Sequence, residues 1–361
     1  MPEILKQHYE RHPYPHYPLF ATARRCDTYA LNLEAIWRRF NGGAPAEHQR
    51  SILVAGCGSF APAVFALANP NCRITALDLS RRSLKRARWH CLLHGTTSVR
   101  FVEGDLCDPT IAGGTFGLID AYGVIHHLED PLAGLQALKR RMAPGGILRL
   151  MVYSRYARRE EEAIRYTFRL LGITTVDQAR RMIASARPGS RLRQFADRCW
   201  EASFDEGIAD ALLHPRARTY RIDDLLDLLR MAELQPLLFA HPDSLEQPDQ
   251  EIKRLRSLEA QRHSPGNFVM YLGRPEDCHN LAAQGSHLML NPCLTGAVGL
   301  LQLKTLRIPP RIGIENPALD RDRRSVLRKF IMPQKRESDP VQTLPDLELY
   351  QRALFLIQFT P

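Results

Sequence analysis

The sequence lacks long hydrophobic runs: among its 361 residues, no apolar stretch approaches the roughly 18 residues that span a membrane. Near the amino terminus, Glu3, Lys6 and Glu10 interrupt any hydrophobic segment of the kind that directs secretion. Polar low-complexity tracts and internal repeats are also missing. These absences argue against a membrane-spanning, disordered or repeat protein, and they predict a soluble, cytoplasmic, globular one.

The cysteines lack the close pairs of a zinc site and the density of a secreted disulfide framework. The eight of them stand at positions 26, 57, 72, 91, 107, 199, 278 and 293. This scatter predicts reduced thiols and no metal centre.

Acidic residues are fewer than basic ones, which gives a net charge of +10. Such a charge favours association with polyanions but does not define a reaction. The basic residues concentrate at 81–88, 155–169 and 321–329. Solvated helix faces explain such clusters more often than nucleic-acid contact does, so nucleic acid is a less favoured partner.

The most informative segment lies between Ser51 and Ser80. An apolar run precedes the turn Gly56-Cys57-Gly58, and a second apolar run ends at Asp78. Glycines let backbone amides approach a ligand closely, and an acid about twenty residues later can accept hydrogen bonds from ribose hydroxyls. The pattern predicts a nucleotide-cofactor pocket. It also fits a dinucleotide fingerprint, so a nicotinamide-dependent oxidoreductase remains an alternative at this point.

Strands and helices alternate along the central region, which predicts an α/β fold with a parallel sheet covered on both faces. The predicted strands are 51–55, 73–77, 98–103, 116–122, 146–153, 236–240 and 267–272. The predicted helices are 60–68, 80–93, 130–142, 223–232 and 249–262, with a further helical stretch from 155 to about 213. Tyrosines and prolines predict an extended backbone over residues 1–26, and Asp27 is expected to cap a helix that runs through Phe40.

Five segments are expected from this organisation. They are an N-terminal segment and helix over the cofactor site (1–44), a cofactor-binding core (45–154), a helical insertion that roofs the acceptor site (155–214), the remainder of the sheet (215–275) and a small C-terminal appendage (276–361). The role of the appendage is not readable from its residues; the apolar stretch Leu354–Ile357 predicts either a small folded cap or a dimer contact.

The succession VAGCGSF, ALDLS, FVEGDL, FGLIDAYGVIHHLEDP and LKRRMAPGGILRLMVYS resembles class I S-adenosylmethionine-dependent methyltransferases, strongly over 50–155 and loosely over 215–273. It is most similar to a branch with a Tyr-Pro-rich N-terminal segment, whose acceptor is often a small molecule or a protein. The resemblance implies a Rossmann-like seven-stranded sheet, S-adenosylmethionine as the cofactor, and methyl transfer to an O, N or C acceptor. A catalytically inactive methyltransferase fold that binds nucleic acid or a protein partner is the alternative.

The resemblance also implies which residues contact the cofactor. They are Gly56, Cys57, Gly58, Asp78, Leu79, Asp105, Leu106, Tyr122 and Tyr14. Asp105 matches the acid that contacts adenine in the family. The third loop glycine of the family is replaced by Phe60, which either crowds the methionine end of the cofactor or points away from it.

His126 and His127 follow the fourth predicted strand, where ligands of open α/β sheets lie, and are the predicted proton acceptors. The competing interpretation gives these histidines packing and backbone hydrogen-bonding roles. Asp210, His214 and Tyr220, where the roof rejoins the sheet, are further acceptor-site candidates.

Overall fold

A computed structural model describes residues 2–96, 98–277, 285–299, 304–342 and 344–361. The cysteines in these ranges are free thiols, and Cys278 lies outside the described residues. None of the described helices has both the length and the apolar character needed to cross a membrane.

Seven strands form the main sheet in the order β3-β2-β1-β4-β5-β7-β6. Their bounds are β1 Ser51–Ala55, β2 Arg73–Asp78, β3 Val99–Glu103, β4 Phe116–Tyr122, β5 Met142–Val152, β6 Gln235–Phe239 and β7 Phe268–Gly273. The prediction of a seven-stranded Rossmann-like α/β sheet is confirmed. The strand bounds agree with it to within about two residues, except that β5 begins at Met142 rather than at residue 146.

The expectation of a wholly parallel sheet is wrong for β7, which runs antiparallel to both β5 and β6. The chain that leads into β7 re-enters the sheet beside the carboxyl end of β5. There the hydroxyl of Ser264 lies 2.9 Å from the hydroxyl of Ser154, which follows β5. A strand that enters from this edge has to run back toward the amino ends of its neighbours.

Helices cover both faces of the sheet. The α-helices are α1 Pro2–Arg11, α2 Leu33–Asn41, α3 Ala61–Ala68, α4 Arg81–Leu93, α5 Pro131–Arg140, α6 Arg159–Leu170, α7 Val176–Ser185, α8 Arg191–Arg198, α9 Asp205–Leu213, α10 Ile222–Met231, α11 Pro248–Ala260, α12 Arg321–Arg328, α13 Asp339–Gln342 and α14 Leu347–Arg352. Because side chains alternate along a strand, Ile52 and Val54 belong to one hydrophobic core, and Leu53 and Ala55 to the other.

The N-terminal segment is not extended throughout, as the sequence analysis expected, because residues 2–11 form helix α1. The prolines that suggested an extended chain begin at Pro13, and they affect only the residues next to them. Helix α1 is tied to the sheet by a 2.8 Å ion pair between Lys6 and Glu103. The guanidinium of Arg82 in α4 also donates a 3.1 Å hydrogen bond to the carbonyl oxygen of Glu10.

The predicted helix from Asp27 through Phe40 is divided into two parts. A 3-10 helix spans Arg25–Leu31, and α2 then begins after Asn32, whose side chain accepts a hydrogen bond from the Ala35 amide. The carboxylate of Asp27 pairs with Arg24 instead of capping a helix. Asn32 and Asp27 are both good capping residues, and the choice between them depends on tertiary contacts, since the Asn32 amide also donates to the carbonyl oxygen of Ala68.

Helices α6 to α9 form the expected insertion after β5 and enclose a small hydrophobic core of their own. The C-terminal part contains a three-stranded sheet of β8 His287–Leu290, β9 Gln334–Lys335 and β10 Leu356–Phe359, with β8 in the centre. Its residues share one hydrophobic core with α2 and α3. Leu354–Ile357 are buried within the chain, which agrees with the folded-cap interpretation and leaves them no surface for a dimer contact.

Candidate cofactor and acceptor site

A cavity of about 540 Å³ lies at the carboxyl ends of the central strands. This volume falls within the roughly 300–1,000 Å³ of small-molecule and cofactor sites. The residues predicted from the sequence to contact a cofactor all line it: Tyr14, Gly56, Cys57, Gly58, Asp78, Leu79, Asp105, Leu106 and Tyr122. The fold therefore brings five separate segments of the chain together around one space.

The turn after β1 requires glycine at two positions. Gly56 and Gly58 have φ angles of +61° and +57°, which side-chain-bearing residues rarely adopt. A Cβ on Gly56 would lie 2.4 Å from a methyl group of Val124, and a Cβ on Gly58 would lie 2.6 Å from the carbonyl oxygen of Tyr14. The turn is thus in close contact with the loop after β4 on one side and with the N-terminal segment on the other.

Asp78 ends β2 and holds the turn in place. Its carboxylate accepts 2.8 Å hydrogen bonds from the backbone amides of Gly58 and Ser80. The side chain is almost fully buried, and this burial raises the pKa of the Asp78 carboxyl to about 6. Each carboxylate oxygen has a further lone pair, so the group can still accept hydrogen bonds from a ligand.

Asp105 stands on the loop after β3 and is partly exposed to the cavity. One of its oxygens accepts a 2.8 Å hydrogen bond from the Cys107 amide, and Leu106 beside it is buried. The buried guanidinium of Arg141 holds this loop, because it donates to the carbonyl oxygens of Leu106, Asp108 and Ile111 and to one in α5. The loop that presents Asp105 is therefore fixed by one side chain.

Replacement of Arg141 is expected to destabilise the protein. Arg141→Met leaves four carbonyl oxygens without their charged donor, and hydrogen bonds to charged groups contribute about 1.5–3 kcal/mol each. We expect a loss of at least about 3 kcal/mol in the free energy of unfolding, measured by urea denaturation. Arg140→Met, a change at the exposed last residue of α5 next to Arg141, is the control and should alter stability by less than about 0.5 kcal/mol.

The N-terminal segment contributes several aromatic residues to the cavity wall, among them Tyr14 and Tyr17. The hydroxyl of Tyr14 donates to the carboxylate of Glu201, and the ring of Tyr17 packs 4.7 Å from the ring of Phe60. Phe60 also makes an edge contact with His90 at 4.9 Å. The Phe60 ring therefore packs against Tyr17 and His90 at the cavity wall.

His126 and His127 have different positions. His127 lines the cavity, and its Nδ1–H donates a 2.7 Å hydrogen bond to the carbonyl oxygen of Arg216, which leaves Nε2 as an acceptor. Burial lowers the pKa of His127 to about 3. His126 has no solvent exposure and lies behind the wall, 3.8 Å from the ring of Tyr153. His126 is not among the residues that line the cavity, so the structure gives no support to its predicted role as a proton acceptor.

Asp210 lines the cavity from helix α9, and a chain of hydrogen bonds ends on it. The Arg216 amide donates to Nδ1 of His214 at 3.1 Å, so Nε2 of His214 carries the proton and donates to the Tyr9 hydroxyl at 3.1 Å. The Tyr9 hydroxyl then donates to Asp210 at 3.2 Å. Burial, followed by the nearby charge of Glu201, raises the pKa of the Asp210 carboxyl to about 7.

The other two acceptor-site candidates lie outside the cavity wall. His214 lies behind the wall and is hydrogen-bonded to Tyr9, which lines the cavity. The backbone amide of Tyr220 donates a hydrogen bond to the carbonyl oxygen of Tyr153. Sequence reasoning missed Tyr9 and Glu201, which line the cavity from α1 and from the roof. Tyr9 was missed because residues 1–26 were expected to be extended, whereas Tyr9 lies in helix α1. No local sequence motif distinguishes Glu201.

A group of possible metal ligands lies at the same place. His8, Asp210 and His214 have ligand atoms within 4.8 Å of one another. Both ring nitrogens of His214 are used by Arg216 and Tyr9. A metal would have to displace one of these hydrogen bonds, so the cluster is explained as a hydrogen-bond chain and we assign no metal to it.

Three comparisons with known proteins bear on this site. A family model described as a methyltransferase domain matches residues 53–148, which include the glycine turn, Asp78 and Asp105. An uncharacterized protein of Synechococcus sp., syc1184_c, is 31% identical over 252 residues, which are 67% of this chain and 60% of that protein. A ubiquinone biosynthesis O-methyltransferase of Paracidovorax citrulli is 32% identical over 109 residues, 29% of this chain and 44% of that protein. The chain thus spans about 60% or less of the length of these curated relatives.

The fold is similar over nearly the whole chain to one solved structure. PKMT2 from Rickettsia typhi in complex with AdoHcy aligns with a TM-score of 0.57 at 14% sequence identity, and the alignment covers 96% of this chain and 77% of that one. At this identity the likeness shows the fold. The family match adds that residues 53–148, which carry the glycine turn, Asp78 and Asp105, are similar to a methyltransferase domain.

Proposed function

We propose that the protein transfers the methyl group of S-adenosylmethionine to an oxygen, nitrogen or carbon atom of a small molecule or of a protein side chain. The observation that carries the proposal is the meeting of Asp78, Asp105 and the glycine turn around one cavity of about 540 Å³. These residues fit the chemistry of the cofactor. The two carboxylates can accept hydrogen bonds from the ribose hydroxyls and the adenine amine, and the glycines let the backbone approach the methionine end closely.

The cofactor residues take the following roles in this proposal. Asp78 binds the ribose hydroxyls, Asp105 and the backbone amide of Leu106 bind adenine, and Gly56 and Gly58 contact the methionine part. When bound, the sulfonium would supply an electrophilic methyl carbon, to which the acceptor would bond in line while the carbon–sulfur bond breaks and S-adenosylhomocysteine leaves. Holding both reactants in attack geometry is worth up to roughly 7–11 kcal/mol, so positioning by the cavity walls supplies much of the rate.

Asp210 is the proton acceptor that the local electrostatics favour. A general base works best when its pKa is near the working pH, and the pKa of Asp210 is about 7 whereas that of His127 is about 3. The Tyr9 hydroxyl points its proton at Asp210 and so keeps the carboxylate oriented. His127 remains a wall residue that can accept a hydrogen bond through Nε2.

The proposal makes the rate of methyl transfer depend on pH. Only ionised Asp210 can take a proton, so the rate is expected to rise as the pH increases through about 7 and to level off above it. The charged and polar groups that face Asp210 are Tyr9, Glu201, Arg158 and Arg165. Asp210→Asn is expected to lower kcat about 100-fold or more and to remove this rise.

The control is Asp205→Asn, an exposed acid in the first turn of the same helix. It should keep both the rate and the pH profile. A folded Asp210→Asn protein with the wild-type pH profile would contradict the assignment of the base.

The activity itself can be tested with S-adenosylmethionine carrying an isotopically labelled methyl group. Incubation with cell extract, followed by mass spectrometry, should reveal a labelled small molecule or protein that is absent when the Asp78→Ala protein is used. Labelled nucleic acid alone, or no labelled product at a cofactor concentration that saturates binding, would contradict the proposal.

The alternatives have less support. The basic residues of α4 that suggested nucleic acid are partly used inside the protein, since Arg82 donates to Glu10 and Arg86 donates to the carbonyl oxygen of Tyr17. An inactive module would need the Phe60 ring to block the pocket, whereas the ring packs on Tyr17 and His90. A nicotinamide cofactor is disfavoured by the methyltransferase family match. A cytoplasmic location remains a prediction from the sequence alone.

A further inference from the structure

We propose that Arg311, contributed by the C-terminal region, binds the carboxylate of the methionine part of the cofactor. This inference rests on the proposed function and adds to it, because it makes the C-terminal region a part of the cofactor site. It also gives that region a role that its sequence does not reveal.

Arg311 lines the same cavity as the glycine turn. Val64 and Phe65 of α3, the helix that follows the turn, lie on this wall as well, together with Leu31. Asp105 and Leu106, the residues assigned to adenine, come from the loop after β3 at the edge of the sheet. The Arg311 amide bonds to Tyr29 in the 3-10 helix Arg25–Leu31, which packs against α3, so Arg311 approaches the cavity from the side of the helix that follows the glycine turn.

The loop that carries Arg311 is held firmly against the N-terminal region. The Arg311 backbone amide donates a 2.9 Å hydrogen bond to the hydroxyl oxygen of Tyr29, which is fully buried. The side-chain amide of Asn316 donates to the same oxygen at 3.0 Å and to the carbonyl oxygen of Pro309 at 2.9 Å. The backbone on both sides of Arg311 is thus fixed, while its side chain is exposed.

Charge pairing distinguishes Arg311 from the other arginines of the cavity. Arg149 pairs with Asp120 at 2.8 Å, and Arg158 pairs with Glu161 at 3.1 Å. Within the described part of the chain, Arg311 forms no ion pair at 4.0 Å or less. Among the cavity arginines, Arg311 is therefore the one whose guanidinium can pair with the carboxylate of a ligand.

The acidic residues of the cavity wall favour a positive charge beside a bound carboxylate. Besides Asp120, which pairs with Arg149, four acids line the cavity: Asp78, Asp105, Glu201 and Asp210. An amino-acid carboxylate entering this space is repelled by them unless a cation compensates. A guanidinium meets that need well, because its fork of N–H groups matches the two oxygens of a carboxylate.

Two ligands that differ in the amino-acid part test the inference. S-Adenosylhomocysteine carries the carboxylate, and 5′-methylthioadenosine has the same nucleoside without it. Calorimetric titration of Arg311→Gln should show about 10- to 100-fold weaker binding of S-adenosylhomocysteine than the wild type, the loss expected for one charged hydrogen-bonded pair. The affinity for 5′-methylthioadenosine should change less than about twofold.

Two further variants serve as controls. Arg311→Lys keeps the positive charge and should recover part of the lost affinity for S-adenosylhomocysteine. Arg307→Gln removes another exposed arginine from the same segment that is not part of the cavity wall, and it should bind both ligands as the wild type does.

The outcomes separate this inference from the proposed function. If the wild type binds neither ligand, the proposed function fails and the inference fails with it. If the wild type binds both and Arg311→Gln binds both equally well, the inference alone is overturned. An equal loss of both ligands in Arg311→Gln also overturns it, since that result assigns Arg311 to the shape of the site and not to the carboxylate.

Discussion

Asp78→Ala is expected to weaken the binding of S-adenosylhomocysteine at least about 100-fold. A carboxylate that accepts hydrogen bonds from two ribose hydroxyls contributes about 1.5–3 kcal/mol for each, and 1.4 kcal/mol corresponds to a factor of ten. The change also removes the acceptor of the Gly58 and Ser80 amides, so the glycine turn loses its anchor. Isothermal calorimetry measures the affinity, and thermal unfolding of each variant shows whether the fold survives.

Two other acids serve as references for this experiment. Asp105→Ala should weaken binding about tenfold, because one side-chain contact to adenine is lost. Asp108, three residues further on, is absent from the cavity wall, so Asp108→Ala should bind as tightly as the wild type. A folded Asp78→Ala protein with wild-type affinity would remove the ribose-binding role from Asp78.

The second large effect is expected at Gly58. Alanine there has to adopt a φ of +57°, which costs about 1–2 kcal/mol, and its Cβ would lie 2.6 Å from the Tyr14 carbonyl oxygen. Relief of that contact displaces the N-terminal segment from the wall of the cavity. Gly58→Ala is therefore expected to lower the melting temperature by several degrees and to weaken S-adenosylhomocysteine binding at least about tenfold.

Gly95 provides a matched control for the backbone strain. It has a φ of +66°, but a Cβ built on it meets nothing within 4 Å. Gly95→Ala should lose a comparable amount of conformational stability and keep its ligand affinity. If Gly58→Ala and Gly95→Ala behave alike in both measurements, the N-terminal segment does not depend on its contact with the glycine turn.

The part of the cavity around the glycine turn could be predicted because it follows from local sequence. A strand, a glycine turn and a strand ending in an acid specify their own geometry over about thirty residues. The carboxyl ends of adjacent strands meet at one edge of a sheet, so Gly56, Asp78 and Asp105 had to lie together once the strands were recognised. Their places around the cavity agree with this reasoning.

The acceptor half could not be predicted in the same way. Tyr9, Glu201 and Asp210 come from helices far apart in the chain, and their proximity depends on how the roof packs. No spacing rule connects residue 9 with residue 210. Helix α1 was missed because the effect of Pro13 and the prolines after it was extended to the whole N-terminal segment. Prolines restrict only the residues next to them, and within residues 2–11 the single proline is at the first position of the helix, where proline is accepted.

The C-terminal region illustrates the same limit. Its composition predicted a separate appendage, whereas its apolar residues complete a core begun by α2 and α3. The contact of the Arg311 amide with Tyr29 joins residues that are far apart in sequence. Only the tertiary structure could bring that arginine to the cavity.

We expect an S-adenosyl nucleoside to occupy the cavity with its ribose on Asp78 and its adenine beside Asp105. A crystal structure of the protein grown with S-adenosylhomocysteine tests this most directly. We predict electron density in the cavity, with both ribose hydroxyls within about 3 Å of the Asp78 carboxylate. Density for the nucleoside at another place, or in the cavity with the ribose turned away from Asp78, would contradict the account.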